Sequence, residues 1–359
     1  VFSEIESKIE TGQRITPEEA VFLFNTDRIH LLGRLAARVA ERLNGKRAYF
    51  VRNRHINPTN ICVNRCRFCA FSRSRGDSGA YELGIEEILE RIASSPPGLR
   101  EIHLVGGLHP DWDIEHYTKI LSTIKKKFPG LHIKGFTAVE IDYIARKSGL
   151  SVDETIERLM DAGLDAMPGG GAEIFRASVR ERLCPEKITG ERWLEIHRAA
   201  HILGLRTNAT MLYGHLETVE DRVDHLERLR LLQDETGGFQ AFIPLSYHPD
   251  NTEIGGGGAS GLDDLRTIAV SRIFLDNFPH IKAYWIMLGE KLSQIALLFG
   301  ADDLEGTVLE EKITHSAGAK TSEGLSIHQI VNLIGRAGRI PVERDSLYNE
   351  VNRHEVGGI

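Results

Sequence analysis

The stretch Asn57-Pro58-Thr59-Asn60-Ile61-Cys62-Val63-Asn64-Arg65-Cys66-Arg67-Phe68-Cys69 follows a β-rich run and carries three of the four cysteines in the chain. Its C-x3-C-x2-C spacing names a chemistry. Three thiolates this close can hold three corners of a cubane iron-sulfur cluster, and the missing fourth cysteine leaves one iron open to a small molecule. An open iron points to catalysis.

Other readings of the triplet fit less well. A structural zinc site normally brings two separated C-x2-C pairs into a closed tetrahedral shell, whereas here a fourth ligand would have to be distant Cys184 or nearby His55. A simple electron carrier needs a fourth regularly spaced thiolate and rarely needs 359 residues. Three clustered cysteines in a chain whose opening segment, Val1 to Arg14, is acidic and amphipathic rather than leader-like read as reduced thiols. The expected location is the cytoplasm.

Composition bounds the rest. Hydrophobic residues make up 41% and charged residues 26%, as in a soluble enzyme-sized fold with a large core. A net charge of −7, with no run of Lys or Arg that forms a nucleic-acid patch, argues against nucleic acid. No stretch approaches the ~20 apolar residues of a membrane span.

Outward from the cysteines, short β-rich runs alternate with helical patterns, as a parallel α/β sheet requires. The predicted strands are 56–60, 101–105, 133–139, 166–169, 207–213, 240–245, 283–287 and a short one near Asp303. Between them fall predicted helices at 85–94, 114–127, 152–162, 190–203, 219–235 and 262–277. Eight such units close naturally into a (β/α)8 barrel. The expected organisation is an N-terminal helical segment over 1–45, the barrel over 46–320, and a C-terminal helical cap over 321–359.

In such a barrel, functional residues gather at the C-terminal ends of strands. The triplet sits there, as do Gly106-Gly107, Thr137 with Glu140, Pro168-Gly169-Gly170-Gly171-Ala172-Glu173, the run Thr210 to Glu217 with Tyr213 and His215, and Tyr247-His248. Each glycine run alone is an ordinary turn signal; their convergence gives them weight.

At these residues the chain resembles the radical S-adenosylmethionine (SAM) superfamily, whose motif is C-x3-C-x-aromatic-C, with Phe68 at the aromatic position. The resemblance implies that Cys62, Cys66 and Cys69 bind a 4Fe-4S cluster whose open iron is chelated by SAM. It implies that Gly106 and Gly107 receive the methionine amino group and that Phe68 helps seat the adenine. Thr137, Glu140, Gly170, Gly171, Glu173, Tyr213 and His215 become the remaining cofactor contacts, with Glu173 on the ribose or else paired to Arg176. Thr210 to Glu217 is similar to the family's GxIxGxxE element, with Thr210 in place of the first glycine.

The resemblance narrows to the menaquinone and deazaflavin branch through the strings NPTNIC, CAF, PGGGAEIF and MLYGHLET. FIPLSYHPDNTE, HIKAYWIMLG, LLFGADDLEGTV and EEKITHSAGA are most like the aminofutalosine synthase group. It implies a transferase that adds the 5′-deoxyadenosyl radical to 3-[(1-carboxyvinyl)oxy]benzoate, with aryl migration and decarboxylation, giving 6-amino-6-deoxyfutalosine for menaquinone. SAM is then a co-substrate, and a flavodoxin or ferredoxin type of donor supplies one electron. Two substrate carboxylates call for cationic or hydrogen-bonding groups. The candidates are Arg73, Arg75, Tyr247, His248 and His315, although the arginines read equally well as solvated loop residues. Trp285 and Tyr284, alternating on a strand, would place one ring in the core. Dehypoxanthine futalosine cyclase and a deazaflavin ring synthase stay open as alternatives, as does a nonenzymatic iron-sulfur carrier.

Overall fold

The computed structural model describes residues 2–354. Three helices, Phe2–Thr11, Pro17–Phe24 and Ile29–Asn44, precede the first strand. The second starts at a Thr16 capping box with proline in its first turn, the combination that satisfies the free N–H groups of a helix start. Ile29–Asn44 lays Leu32, Leu35, Ala36 and Val39 against the barrel helix Gly261–Phe274.

Strand β1 (Arg47–Val51) leads into β2 (Asn53–Ile56), then β3 (Glu101–Leu104), β4 (His132–Gly135), β5 (Ala166–Met167), β6 (Arg206–Tyr213), β7 (Phe239–Ser246), β8 (His280–Ile281) and β9 (Asp303–Gly306). From β2 to β8 each strand pairs in parallel with the next, forming a curled sheet. Its open gap is spanned by residues 302–309 through single parallel bridges, Lys282 with Asp303 and Arg54 with Leu309. Ala283 N–H donates to Asp303 O at 2.8 Å on one side, and His55 N–H to Leu309 O at 2.9 Å on the other. The expected α/β barrel is therefore present, closed by bridges rather than by a continuous ladder.

Alternation along each strand divides the residues cleanly. Ile102, Leu104, Ile133, Ala209, Met211 and Phe242 are buried in the main apolar core. Their neighbours His103, Lys134, Asn208, Thr210 and Ile243 face the barrel interior. The bottom of that interior is ionic. Lys134 meets Glu101 at 2.9 Å, Lys282 meets Glu305 at 2.5 Å, and Arg344 meets Asp303 at 2.8 Å, all six side chains being buried. Opposite charges in equal number make this layer neutral, which a low-dielectric interior requires.

Four sequence expectations are corrected. The first barrel strand ends at Ile56 rather than Asn60, because Pro58 lacks an N–H and the side chains of Asn57 and Thr59 bond to Val105 O and Tyr81 O instead. The third ends at Gly135; Phe136 turns the chain at φ 57°, and Thr137 caps the helix Ala138–Ser148, which the strand reading had absorbed. The seventh is His280–Ile281, so Tyr284 and Trp285 do not alternate on a strand but open the short helix Trp285–Leu288. The C-terminal region is not a helical cap. Its helix Ile327–Arg336 is followed by β10 (Ile340–Arg344) and β11 (Glu350–Arg353), which with β1 and β9 form a second sheet in the order β11-β10-β1-β9. β10 thereby delivers Arg344 to the ionic layer.

Candidate active site

The cysteine loop leaves β2 and is held on both sides by backbone. Cys62 N–H donates to Arg73 O at 3.1 Å, Val63 N–H to Leu108 O at 3.0 Å, and Arg67 N–H to Leu183 O at 3.0 Å. Gly107 passes directly beneath. A Cβ there would stand 2.2 Å from Ile61 O, so only glycine lets the end of β3 approach the loop this closely. Cys62, Cys66 and Cys69 are partly exposed on the wall of a cavity of about 310 Å³ at the C-terminal ends of the strands, while Cys184 is buried outside it. Burial pushes the Cys66 thiol up to about 12 and raises that of Cys62.

Among the described residues no three His, Cys, Asp or Glu side chains converge as for a single ion. A cubane makes a different demand, since its cysteines bind different irons. Three thiols from one loop, partly exposed on one cavity wall, fit that demand. Such a cluster would supply a low-potential electron at the mouth of the barrel.

Behind the cysteines, glycines again permit close approach. Cβ atoms on Gly169 and Gly170 would stand 2.7 Å from β6 backbone and 2.9 Å from Thr137 Cγ2. Glu173 then holds a left-handed φ of 46°, uncommon for a residue with a side chain. Its carboxylate meets Lys187 Nζ at 2.5 Å, and the ammonium lies 4.9 Å from the Phe68 ring centroid. Burial works against the Lys187 charge, but Cys66 and Glu173 outweigh it and raise its pKa. Glu173 is thus paired to Lys187, not to Arg176, which binds Asp221 at 2.6 Å.

Thr137 and Glu140 form a capping box, with Glu140 Oε2 accepting from Thr137 N–H at 2.7 Å. Glu140 Oε1 also accepts from Gly106 N–H at 3.0 Å, tying β3 to β4. Burial pushes this carboxyl up to about 7 despite those bonds. Tyr247 and His248 line the cavity from the end of β7. The Tyr247 hydroxyl bonds to Gly255 O at 3.1 Å, and His248 Nε2 to Met287 O at 3.0 Å.

The structure brings Phe68, Gly106, Gly107, Thr137, Glu140, Gly170, Gly171, Glu173, Tyr247 and His248 to one cavity with the cysteines. Five expected contacts lie elsewhere. Tyr213 faces outward with its hydroxyl 2.7 Å from Asp264, because the strand period that turns Thr210 and Leu212 inward turns Tyr213 away. His215 is buried against Glu217 at 3.0 Å and Leu212 O at 2.9 Å. Arg73 spends its guanidinium on Ala70 O and Ser72 O, and exposed Arg75 pairs with Asp111. His315 sits behind the wall, bonded to Glu311 at 3.0 Å and to Thr321 O at 3.1 Å.

Sequence reasoning missed Lys187, His55, His103, Lys134, Asn208 and Glu305, all on the cavity wall. His103 and Lys134 carried a usable signal. Polar residues alternating inside short parallel strands, which are normally apolar throughout, mark an occupied barrel interior. Lys187, in the loop Pro185-Glu186-Lys187, carried none.

Residues 56–229 match the family model described as the Radical SAM superfamily, and residues 236–356 match the CofH/MqnC C-terminal region. The aminodeoxyfutalosine synthase of Thermus thermophilus is 47% identical, covering 97% of this chain and 95% of that protein. The 5-amino-6-(D-ribitylamino)uracil–L-tyrosine 4-hydroxyphenyl transferase of Methanopyrus kandleri is 45% identical over 86% of this chain and 85% of its own length. A crystal structure of methylornithine synthase shares the fold at a TM-score of 0.76 and 18% identity, covering 94% of this chain and 97% of its own. With its cysteine loop at the mouth of a curled parallel barrel, the chain belongs to the radical SAM superfamily, in the branch that carries the CofH/MqnC C-terminal region.

Proposed function

We propose that this enzyme is an aminodeoxyfutalosine synthase, joining the adenosyl carbon of SAM to the vinyl carbon of 3-[(1-carboxyvinyl)oxy]benzoate. The aryl group moves from oxygen to carbon, carbon dioxide leaves, and 6-amino-6-deoxyfutalosine is the product. The observation that carries this reading is the 47% identity to the Thermus synthase over nearly the whole of both chains. The cavity supports it. Its walls are apolar at Val105, Leu212, Ile243, Leu245 and Met287, suited to an aromatic ring, with polar side chains such as His103 and Asn208 also lining it.

In this reading Cys62, Cys66 and Cys69 would hold a 4Fe-4S cluster, which with SAM and a one-electron reductant of flavodoxin or ferredoxin type would supply the 5′-deoxyadenosyl radical. The methionine ammonium can only donate, so the carbonyl oxygens of the glycine pair are the groups to receive it, while the Gly106 N–H is held by Glu140. Phe68 backs the adenine, and Glu173, fixed by Lys187, accepts from the ribose hydroxyls. The Tyr247 hydroxyl holds Gly255 O of the segment after β7 at 3.1 Å, which fixes the ring on the cavity wall.

A second reading is favoured by the 45% identity to the Methanopyrus transferase. One assay separates the two. The anaerobically reconstituted enzyme receives SAM, a reductant, and in parallel the enolpyruvyl benzoate ether or L-tyrosine with 5-amino-6-(D-ribitylamino)uracil. Consumption of the ether with one SAM per adduct supports the synthase; consumption of tyrosine instead refutes it.

A further inference from the structure

At the inner end of the cavity, register places His55 of β2 opposite His103 of β3, and His103 opposite Lys134 of β4. Three inward side chains thus form one row across adjacent strands. His55 Nε2 and His103 Nδ1 lie 3.3 Å apart, so one imidazole donates to the other. Among the described residues His103 Nε2, shielded from solvent, has no partner, and neither does Oδ1 of buried Asn208. Both side chains line the cavity. Buried polar atoms without partners are costly, and in a cavity wall they mark where a ligand completes the bonding.

We propose that this row is the subsite for the ring carboxylate of the acceptor, with His103, His55 and Asn208 contacting it and Lys134 beneath. The identity of the anion rests on the synthase reading above. Orientation follows from the fold: the reacting vinyl carbon must face the cysteine end, so the meta carboxylate on the far side of the ring points inward. Charge supports the choice. The layer underneath is already neutral, with Glu101 on Lys134, Glu305 on Lys282 and Asp303 on Arg344. An added anion therefore needs new donors. When His55 Nε2–H donates to His103 Nδ1, the His103 proton sits on Nε2 and is free to give to the ligand, and the Asn208 amide can turn its NH2 to the same group. Lys134 makes one of its three possible bonds, to Glu101. Burial first, and then the neighbouring His55, lowers His103 to about 3, and burial likewise lowers His55; a carboxylate brought against them favours their charged form.

The test is a binding measurement on the cluster-loaded enzyme with SAM and no reductant, so that no turnover occurs. Calorimetry gives Kd for 3-[(1-carboxyvinyl)oxy]benzoate and for 3-[(1-carboxyvinyl)oxy]benzamide, whose ring carboxylate is replaced by an amide. Wild type is expected to prefer the acid by about 10-fold or more, and His103→Ala to bring the ratio to within about 2-fold, in line with the loss of a charge-assisted bond. His55→Gln moves the ratio in the same direction and serves if His103→Ala does not fold. Equal binding of acid and amide by wild type, absence of binding by either, or a full preference in both variants overturns the assignment. Failure of the synthase reading has a different signature: acid preferred and lost in the variants, but no adduct once reductant is added.

Discussion

Replacing Lys187 with methionine should destabilise the protein through Glu173 rather than through lost packing. The ammonium sits 2.5 Å from the Glu173 carboxylate, and the two side chains are only 15% and 7% exposed. Methionine keeps most of the stem but leaves the carboxylate with no counter-charge. Breaking a buried pair by removing one partner costs about 3–5 kcal/mol, and since cavity water can reach Glu173 the lower end applies, about 3 kcal/mol. Losing the cation from the face of Phe68, 4.9 Å away, adds about 0.5 kcal/mol. At roughly 2 °C per kcal/mol for a domain of this size, Tm should fall by about 7 °C. The assay is thermal unfolding of the cluster-loaded protein with iron content measured beside it. Adding Glu173→Gln to Lys187→Met removes the stranded charge and should restore about half the loss, while leaving SAM binding weak because a neutral amide replaces the charged ribose acceptor. A Lys187→Met protein melting within 1 °C of wild type, or a double variant no more stable than the single, would refute the reasoning (thresholds of roughly one transition-midpoint error).

Other changes probe separate parts of the site. Gly107→Ala places a Cβ 2.2 Å from Ile61 O, so backbone must move; a loss of about 2–3 kcal/mol and poorer cluster loading are expected, and wild-type loading would show that the close approach is dispensable. Cys66→Ala should abolish cluster assembly and turnover together, read by iron content and product formation, and adduct formed at the wild-type rate would sink the ligand assignment. His315 is held protonated by its bond to Glu311, with its pKa raised to about 9. Because the folded value exceeds the unfolded one, its contribution is complete below about 6.5 and is lost as pH rises through about 9. After discounting for solvent screening it is of the order of 1 kcal/mol. His315→Ala should therefore lower Tm at pH 6 and leave it unchanged at pH 10, where an equal loss at both would contradict the ion pair.

The parts of this fold that could be read from sequence are those fixed by local rules. The cysteine spacing and the helices Ile114–Lys127, Val152–Asp161 and Val219–Thr236 rest on interactions within a few residues, and the structure has them. The misread elements are those decided by tertiary partners. His280–Ile281 is too short to announce itself, and the apolar run after it becomes a helix because Trp285 Nε1 donates to Gly306 O at 2.9 Å across the barrel. β10 and β11 looked like the tail of a helical cap because β10 becomes a strand only by pairing with β1, some 290 residues earlier (Arg47 with Ile340), and β11 only by pairing with β10. Thr137-Ala138-Val139-Glu140 did carry a capping-box signal, which the apolar run before it concealed. The site divides the same way. Glycines and cysteines at strand ends were legible because their chemistry is in their identity, whereas Tyr213 and His215 were misplaced by strand phase, and Lys187 reaches Glu173 only through the folded loop.

An aminodeoxyfutalosine synthase builds the adenosyl group of SAM into its product. Turnover with SAM deuterated at the 5′ carbon, followed by mass analysis of the nucleosides, follows that group. The label is expected in an adenine-containing benzoate adduct formed in proportion to the methionine released. Label found wholly in free 5′-deoxyadenosine, with the enolpyruvyl ether unconsumed, would contradict it.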